Sequence, residues 1–85
     1  GKGKIPLSIK VPIEKRTIDY DSFLKNLSDS LKKEIGSEFI AALDADKERI
    51  YVKVDFNTEY SNRKILRNAI IKTVLKEYSK SQKKI

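Results

Sequence analysis

Apolar and polar residues alternate along two segments of the chain, at residues 5–13 and 50–57. A period of two with many β-branched side chains is typical of strands buried on one face. The first segment contains Pro6 and Pro12, which cannot donate ladder hydrogen bonds, so we expect it at a sheet edge. The second has no Pro or Gly and is expected at the centre. A short apolar segment at residues 39–43 predicts a further strand, joined to the central one by an acidic turn.

Two other segments carry apolar residues at steps of three and four, which predicts helices. The stripe of the first helix consists of Tyr20, Phe23, Leu24, Leu27, Leu31 and Ile35. Thr17 or Asp19 can cap its start, and Gly36 suits the position just after its end. Ser61 is the expected N-cap of the second helix. The core-facing stripe of that helix is predicted to be Ile65, Leu66, Ala69, Ile70, Thr73 and Val74.

The predicted element order is therefore β-α-β-β-α. A helix between the first two strands requires a right-handed crossover, and inserting the third strand between them gives sheet order 1-3-2. We expect a single α+β domain over residues 1–85, a two-layer sandwich with both helices on one face of a three-stranded sheet. Residues 1–4 are expected to be a flexible lead-in and residues 79–85 a basic C-terminal tail.

The positive charge is concentrated in the last third of the chain. Residues 1–59 contain eleven Lys/Arg and eleven Asp/Glu, whereas residues 60–85 contain eight basic residues and one acid, Glu77. This asymmetry favours a polyanionic partner, with nucleic acid first; the alternative is a solvated Lys-rich face. The candidate nucleic-acid-binding residues are Arg63, Lys64, Arg67, Lys72, Lys76, Lys80, Lys83, Lys84 and, on the open face of the sheet, Lys53. Lys53 with Tyr51 could form a stacking platform, but an ordinary solvent-facing surface is the favoured interpretation there.

A second apolar stripe on the last helix, Ile71, Leu75 and Tyr78, lies nearly opposite its core-facing stripe. Because a helix buried on one side does not need it, we interpret this stripe as a partner interface. The alternative is that it packs beneath the N-terminal segment. Free sheet edges also invite pairing with another copy, so a homodimer or a heterodimer with a paralogue is expected.

The composition makes an enzyme the least favoured class. The chain has no His and no Cys, which removes thiolate metal sites and every Ser–His or Cys–His nucleophile, and no glycine-rich phosphate loop is present. Asp44, Asp46 and Glu48 could hold a hard cation, but a turn is the favoured interpretation. We therefore expect no catalytic residue, no cofactor and no metal. No apolar run is long enough to cross a bilayer and no secretory segment is visible, so a cytoplasmic location is expected.

The stretch of residues 49–57, followed by residues 59–68, resembles a known family. It is similar to the small dimerising Pcc-type subunit of the archaeal KEOPS complex, whose enzyme subunits install threonylcarbamoyl-adenosine in tRNA. In that family a strand leads into a helix that opens Ser-Leu-Arg, with Asn one turn later. Ser61 and Arg63 fit this pattern, while Asn62 replaces the Leu and Arg67 stands where the Asn is expected. A diverged paralogue that pairs with the main subunit would suit these differences.

The resemblance implies a non-catalytic subunit that dimerises, docks on a kinase-like catalytic subunit and helps to hold tRNA. Two other hypotheses stay open: a stand-alone archaeal or viral nucleic-acid-binding protein, and a scaffold subunit with no nucleic-acid contact.

Overall fold

The computed structural model describes residues 3–81 of the chain. Within that range every predicted strand and helix is present, together with one short 3₁₀ helix. In chain order the elements are β1 (Ile5–Ile13), α1 (Tyr20–Ile35), β2 (Phe39–Ala45), β3 (Ile50–Thr58), the 3₁₀ helix (Tyr60–Asn62) and α2 (Arg63–Lys80).

The three strands form one antiparallel sheet in the order β1-β3-β2. The prediction that β3 is central is confirmed: Val54 pairs with Ile9 on one side and with Ala41 on the other. Ile9 and Val54 belong to one buried core together with Phe23 of α1 and Ile70 of α2. The predicted α+β sandwich of sheet order 1-3-2 is therefore confirmed.

β1 is an edge strand, as its prolines predict. It pairs with β3 alone, over all nine of its residues. N–H groups of successive residues point to opposite edges of a strand. Pro6 and Pro12 are six residues apart, an even number, so their backbone nitrogens point to the same side of the strand and the missing donors share one edge. Because proline is tolerated in a paired strand where the missing donor faces away from the partner, we assign both to the outer edge of β1. The free edge of β1 is therefore a poor template for a further strand.

Both predicted ends of α1 are confirmed. Asp19 is the N-cap, and its carboxylate accepts hydrogen bonds from the backbone N–H of Ser22 at 3.2 Å and from its hydroxyl at 2.9 Å. These bonds lower the pKa of Asp19. Gly36 follows the helix with φ of 72°, the left-handed conformation that glycine adopts without strain, and its N–H donates to the carbonyl of Lys32.

The start of α2 differs from the prediction. Ser61 is not its N-cap: residues 60–62 form the 3₁₀ helix, and Asn62 occupies the N-cap position without a side-chain capping bond. The 3₁₀ helix places Ser61 inside a turn, where its hydroxyl is not positioned ahead of the α-helical N–H groups. At the other end, α2 continues through Lys80, so residues 79 and 80 of the predicted tail are helical.

The core-facing stripe of α2 also needs correction. Ile70 and Val74 are fully buried as predicted, but Ile65 is 70% exposed. At 3.6 residues per turn, Ile65 stands about 140° around the helix from Ile70. In addition, Thr73 donates to Glu34 near the end of α1, so the first turns of antiparallel α2 lie beyond that end. Nothing from α1 covers Ile65 there.

Candidate nucleic-acid interface

The side of α2 that points away from the core presents a basic surface. We define the outer face of α2 by six exposed side chains: Lys64, Ile65, Asn68, Lys72, Leu75 and Lys76. Positions 64, 68, 72 and 76 recur every four residues, so they form one row that drifts slowly around the helix. The row from Lys64 to Lys76 spans about 18 Å. Each step of four residues turns about 40°, so Lys64 and Lys76 stand about 120° apart around the helix, and a strand that follows this inclined row can contact all three lysines.

Within residues 3–81, no acidic side chain neutralises this face. α1 carries three acids and three bases, whereas α2 carries six basic residues and a single acid, Glu77. Glu77 is only 8% exposed and points toward α1, where its carboxylate accepts a hydrogen bond from Ser30 at 2.9 Å. Among residues 3–81, no carboxylate forms an ion pair with Lys64, Lys72 or Lys76. The outer face therefore keeps its whole positive charge.

The other candidate nucleic-acid-binding residues are placed less uniformly. Arg67 is exposed but stands about 60° around the helix from Lys64, outside the lysine row. Arg63 is half-buried and its guanidinium stacks on the ring of Tyr60. Lys80 forms an ion pair with Glu77 at 3.6 Å. Lys83 and Lys84 lie outside the described residues.

The open face of the sheet is a mixed surface rather than a basic one. Tyr51 is half-buried, Lys10 lies over its ring at 5.0 Å from the centroid, and its hydroxyl donates to Asp46 at 3.3 Å. Lys10 in turn forms an ion pair with Asp44. Lys53 is half-buried on the central strand, where it pairs with Lys10 of β1 and Ala42 of β2. Since the ring of Tyr51 and its neighbouring charges are already engaged, this face offers less to a polyanion than α2 does.

The predicted partner stripe of α2 is not a continuous exposed surface. Tyr78 is 4% exposed and belongs to the core, so its assignment to a partner interface is wrong. It stands only about 40° around the helix from buried Val74, which explains its burial. Ile71 is half-buried and packs against the core, which leaves Leu75, at 50% exposure, as the exposed member of the stripe.

Tyr78 instead closes the end of the domain. Its ring meets Phe23 in a T-shaped contact with centroids 5.2 Å apart, and the guanidinium of Arg16 lies over it. Its hydroxyl donates to the carbonyl oxygen of Glu14 and contacts the hydroxyl of Tyr20 at 3.4 Å. Burial, followed by the bond to Tyr20, raises the pKa of Tyr78 well above its usual range. This network ties α2 to the β1–α1 connection.

The acidic turn between β2 and β3 has a structural role. Asp46 Oδ1 accepts hydrogen bonds from the backbone N–H groups of Glu48 and Arg49, both at 3.0 Å, and these bonds lower the pKa of Asp46. Asp44 is engaged with Lys10. In residues 3–81 no three His, Cys, Asp or Glu side chains are grouped so that they could hold a metal ion. The turn interpretation is thus supported by its own hydrogen bonds.

Sequence inspection missed two residues. Tyr60, in the 3₁₀ helix, is 65% exposed at the start of the basic helix. Glu77 was counted only as a charge, although its spacing of three from Val74 and seven from Ile70 places it on the buried arc of α2. The signal for Tyr60 was its position three residues before Arg63, at the start of the basic segment.

Neither helix in the described part of the chain combines the length and the apolar content that crossing a membrane requires. Comparison of the chain with protein-family models, curated proteins and solved structures gave no match.

Proposed function

We propose that this protein is a non-catalytic nucleic-acid-binding subunit that contacts RNA through the outer face of α2. The observation that supports this proposal is the asymmetry of charge on the two helices: α1 is balanced, and α2 keeps a row of lysines with no acid on the same face. Such a row suits phosphates, since an ammonium group is a compact point charge that tolerates many approach angles.

Binding of this kind recognises the phosphate backbone of the RNA more than its base sequence. Contacts to phosphates fix position and orientation without sequence information, and they release condensed counterions. The lysine row carries one amide side chain, Asn68, which can bond to a base edge or to a sugar hydroxyl. We therefore expect modest sequence preference and strong salt dependence.

The location of the site can be tested by backbone amide chemical-shift mapping with a short single-stranded RNA. The amides of residues 60–76 are expected to shift most, because they surround the lysine row. Shifts centred instead on Tyr51 and Lys53 would move the site to the open face of the sheet. No shift anywhere at high RNA concentration would contradict nucleic-acid binding itself.

The narrower form of the proposal, a small subunit of a KEOPS-like tRNA-modifying assembly, rests on the resemblance over residues 49–57 and 59–68. In that form the partners are tRNA and a kinase-like catalytic subunit, and the protein supplies dimerisation and RNA contact. Recovery from cells together with a tRNA-modifying kinase-like enzyme supports this form. Recovery with bulk chromatin supports a stand-alone nucleic-acid-binding protein instead, and recovery with protein partners alone supports a scaffold.

Self-association is a second part of the proposal, and the structure favours the outer edge of β2 for it. The outer faces of two α2 helices would repel each other because both are basic. The edge of β1 is blunted by Pro6 and Pro12. β2 has no Pro, Gly or Lys, its single acid is Asp44, and on the described part of the chain no strand covers its outer edge. Ile40, 68% exposed, lies on this strand beside an apolar groove of about 1040 Å³.

We expect a dimer at micromolar concentration that the substitution Ile40→Asp converts to monomer. The substitution gives each β2 strand a second carboxylate, so two paired β2 edges would repel each other, and it removes an exposed apolar side chain from the contact. Ile65→Asp is the matched control, because it makes the same change at a 70% exposed position of α2 and should leave the dimer intact. Sedimentation equilibrium measures both variants. A wild-type monomer at hundreds of micromolar would contradict self-association, and equal effects of the two substitutions would contradict the β2 edge.

A further inference from the structure

Tyr60 presents an exposed aromatic ring just before the start of the basic helix α2. It is 65% exposed and immediately precedes α2 in the 3₁₀ helix. The guanidinium carbon of Arg63 lies 4.0 Å from its ring centroid and covers one face of the ring. Because two thirds of the residue is accessible, the opposite ring face is open to solvent.

The other aromatic side chains are buried or half-buried. All seven Phe and Tyr residues lie in the described part of the chain, and Tyr60 is the only one of them that is exposed. Phe23, Phe56 and Tyr78 are buried in the core. Tyr51 carries Lys10 over its ring. Tyr60 is therefore the most exposed aromatic side chain in residues 3–81 and the one best placed to stack on a planar ligand.

Arg63 prepares this ring for stacking. A guanidinium held against one face restricts the rotation of the ring, so less conformational entropy is lost when a second planar group packs on the other face. The cation also increases the local positive charge. Between residues 59 and 72 the side chains sum to +3: Glu59 contributes −1, and Arg63, Lys64, Arg67 and Lys72 contribute +4. A ligand that suits both the aromatic ring and the surrounding positive charge is a planar group carried by a polyanion.

We propose that Tyr60 stacks on an unpaired base while the lysine row holds the adjoining phosphates, so that the ligand of this site is single-stranded RNA. This inference rests on the proposed nucleic-acid binding and narrows it. A base inside a duplex is stacked on both faces and cannot reach the ring, whereas an unpaired base can. Tyr60 lies four residues before Lys64 at the N-terminal end of α2, and its ring stacks on Arg63, the first residue of that helix. A strand whose phosphates reach Lys64 would therefore have an adjoining base within reach of the ring.

The test compares Tyr60→Leu, which keeps an apolar side chain but removes the ring face, with Tyr60→Phe, which keeps the ring. The probes are a short oligouridylate, a blunt-ended RNA duplex without a loop, and heparin, a polyanion without bases. For the oligouridylate, Tyr60→Leu is expected to weaken binding about tenfold, and Tyr60→Phe to bind like the wild type. Both variants should bind heparin and the duplex like the wild type.

The possible failures are distinguishable. If the wild type binds the oligouridylate and Tyr60→Leu binds it equally well, stacking is wrong while binding through the lysine row stands. Tyr60→Leu could also weaken heparin binding as strongly as RNA binding. The ring would then support the structure or the positive potential of the site rather than stack on a base, and stacking is again wrong. If the wild type binds none of the three probes, the proposed function itself fails.

Discussion

Replacing Lys64, Lys72 and Lys76 together with alanine is expected to weaken RNA binding about 10- to 100-fold at physiological salt. Each lysine is exposed and lacks an acidic partner in residues 3–81, so its charge is available to a phosphate. The three positions share one row of α2, so a single strand can contact all of them. Fluorescence anisotropy with a labelled single-stranded RNA measures the change.

The matched control removes the same charge from the other helix. Lys25, Lys32 and Lys33 are exposed residues of α1, and changing all three to alanine lowers the net charge by the same three units. If binding depended only on overall charge, the two triple variants would lose affinity equally. A loss confined to the α2 variant supports a local interface, and equal losses would contradict it.

Tyr78→Ala is expected to produce the largest loss of stability among single substitutions on α2. The side chain is 4% exposed, touches Phe23 and bonds to the β1–α1 connection, so its removal leaves a cavity and unpaired polar groups. The expected cost is about 3–5 kcal/mol. A domain of this size has a total stability of about 4–13 kcal/mol. Thermal unfolding followed by circular dichroism should show a midpoint lowered by about 15–30 °C.

Leu75→Ala is the comparison on the same helix. Leu75 is 50% exposed, so its truncation should lower the free energy of unfolding by about 1 kcal/mol or less. Had Tyr78 been a partner-interface residue, the two substitutions would have similar, small effects on the isolated domain. Similar melting temperatures for the two variants would therefore contradict its place in the core.

Ionisation of the Tyr78 hydroxyl is expected to lower the stability of the folded domain at alkaline pH. Because the pKa of Tyr78 is raised in the folded state, the neutral phenol is favoured there. Its contribution is fully present below its unfolded pKa near 10 and is lost as pH rises toward the folded value. Tyr78→Phe retains the ring but lacks the ionisable group, so its stability should fall less steeply above pH 10 than that of the wild type.

The strands were predictable because their signals are local. Strict alternation fixes which face of β1 and β3 is buried, and Pro6 and Pro12 place β1 at an edge. The ends of α1 were also predictable. The side chain of Asp19 can accept a hydrogen bond from an N–H group of the first turn, and Gly36 can adopt the left-handed conformation that ends a helix. The sheet order followed from the crossover rule once the elements were known.

The faces of α2 were less predictable because apolar residues surround this helix. Ile65 and Tyr78 were assigned to opposite sides from those they occupy. Which of them is covered depends on where α1 ends and on how the β1–α1 connection wraps over the far end of α2. Both depend on tertiary packing, which the spacing of residues within α2 does not determine. The basic character of α2 was visible in the sequence, but the isolation of its lysines from acids depends on the burial of Glu77.

The salt dependence of RNA binding tests most directly whether the lysine row contacts phosphates. The observed association constant is measured at several salt concentrations for the wild type and for the variant with alanine at residues 64, 72 and 76. Each phosphate contact to a single strand contributes about 0.7 to the log–log slope, so the magnitude of the slope should fall by about 2 in the variant. An unchanged slope, even with reduced affinity, would show that these lysines do not contact phosphates and would contradict the assignment of α2 as the nucleic-acid interface.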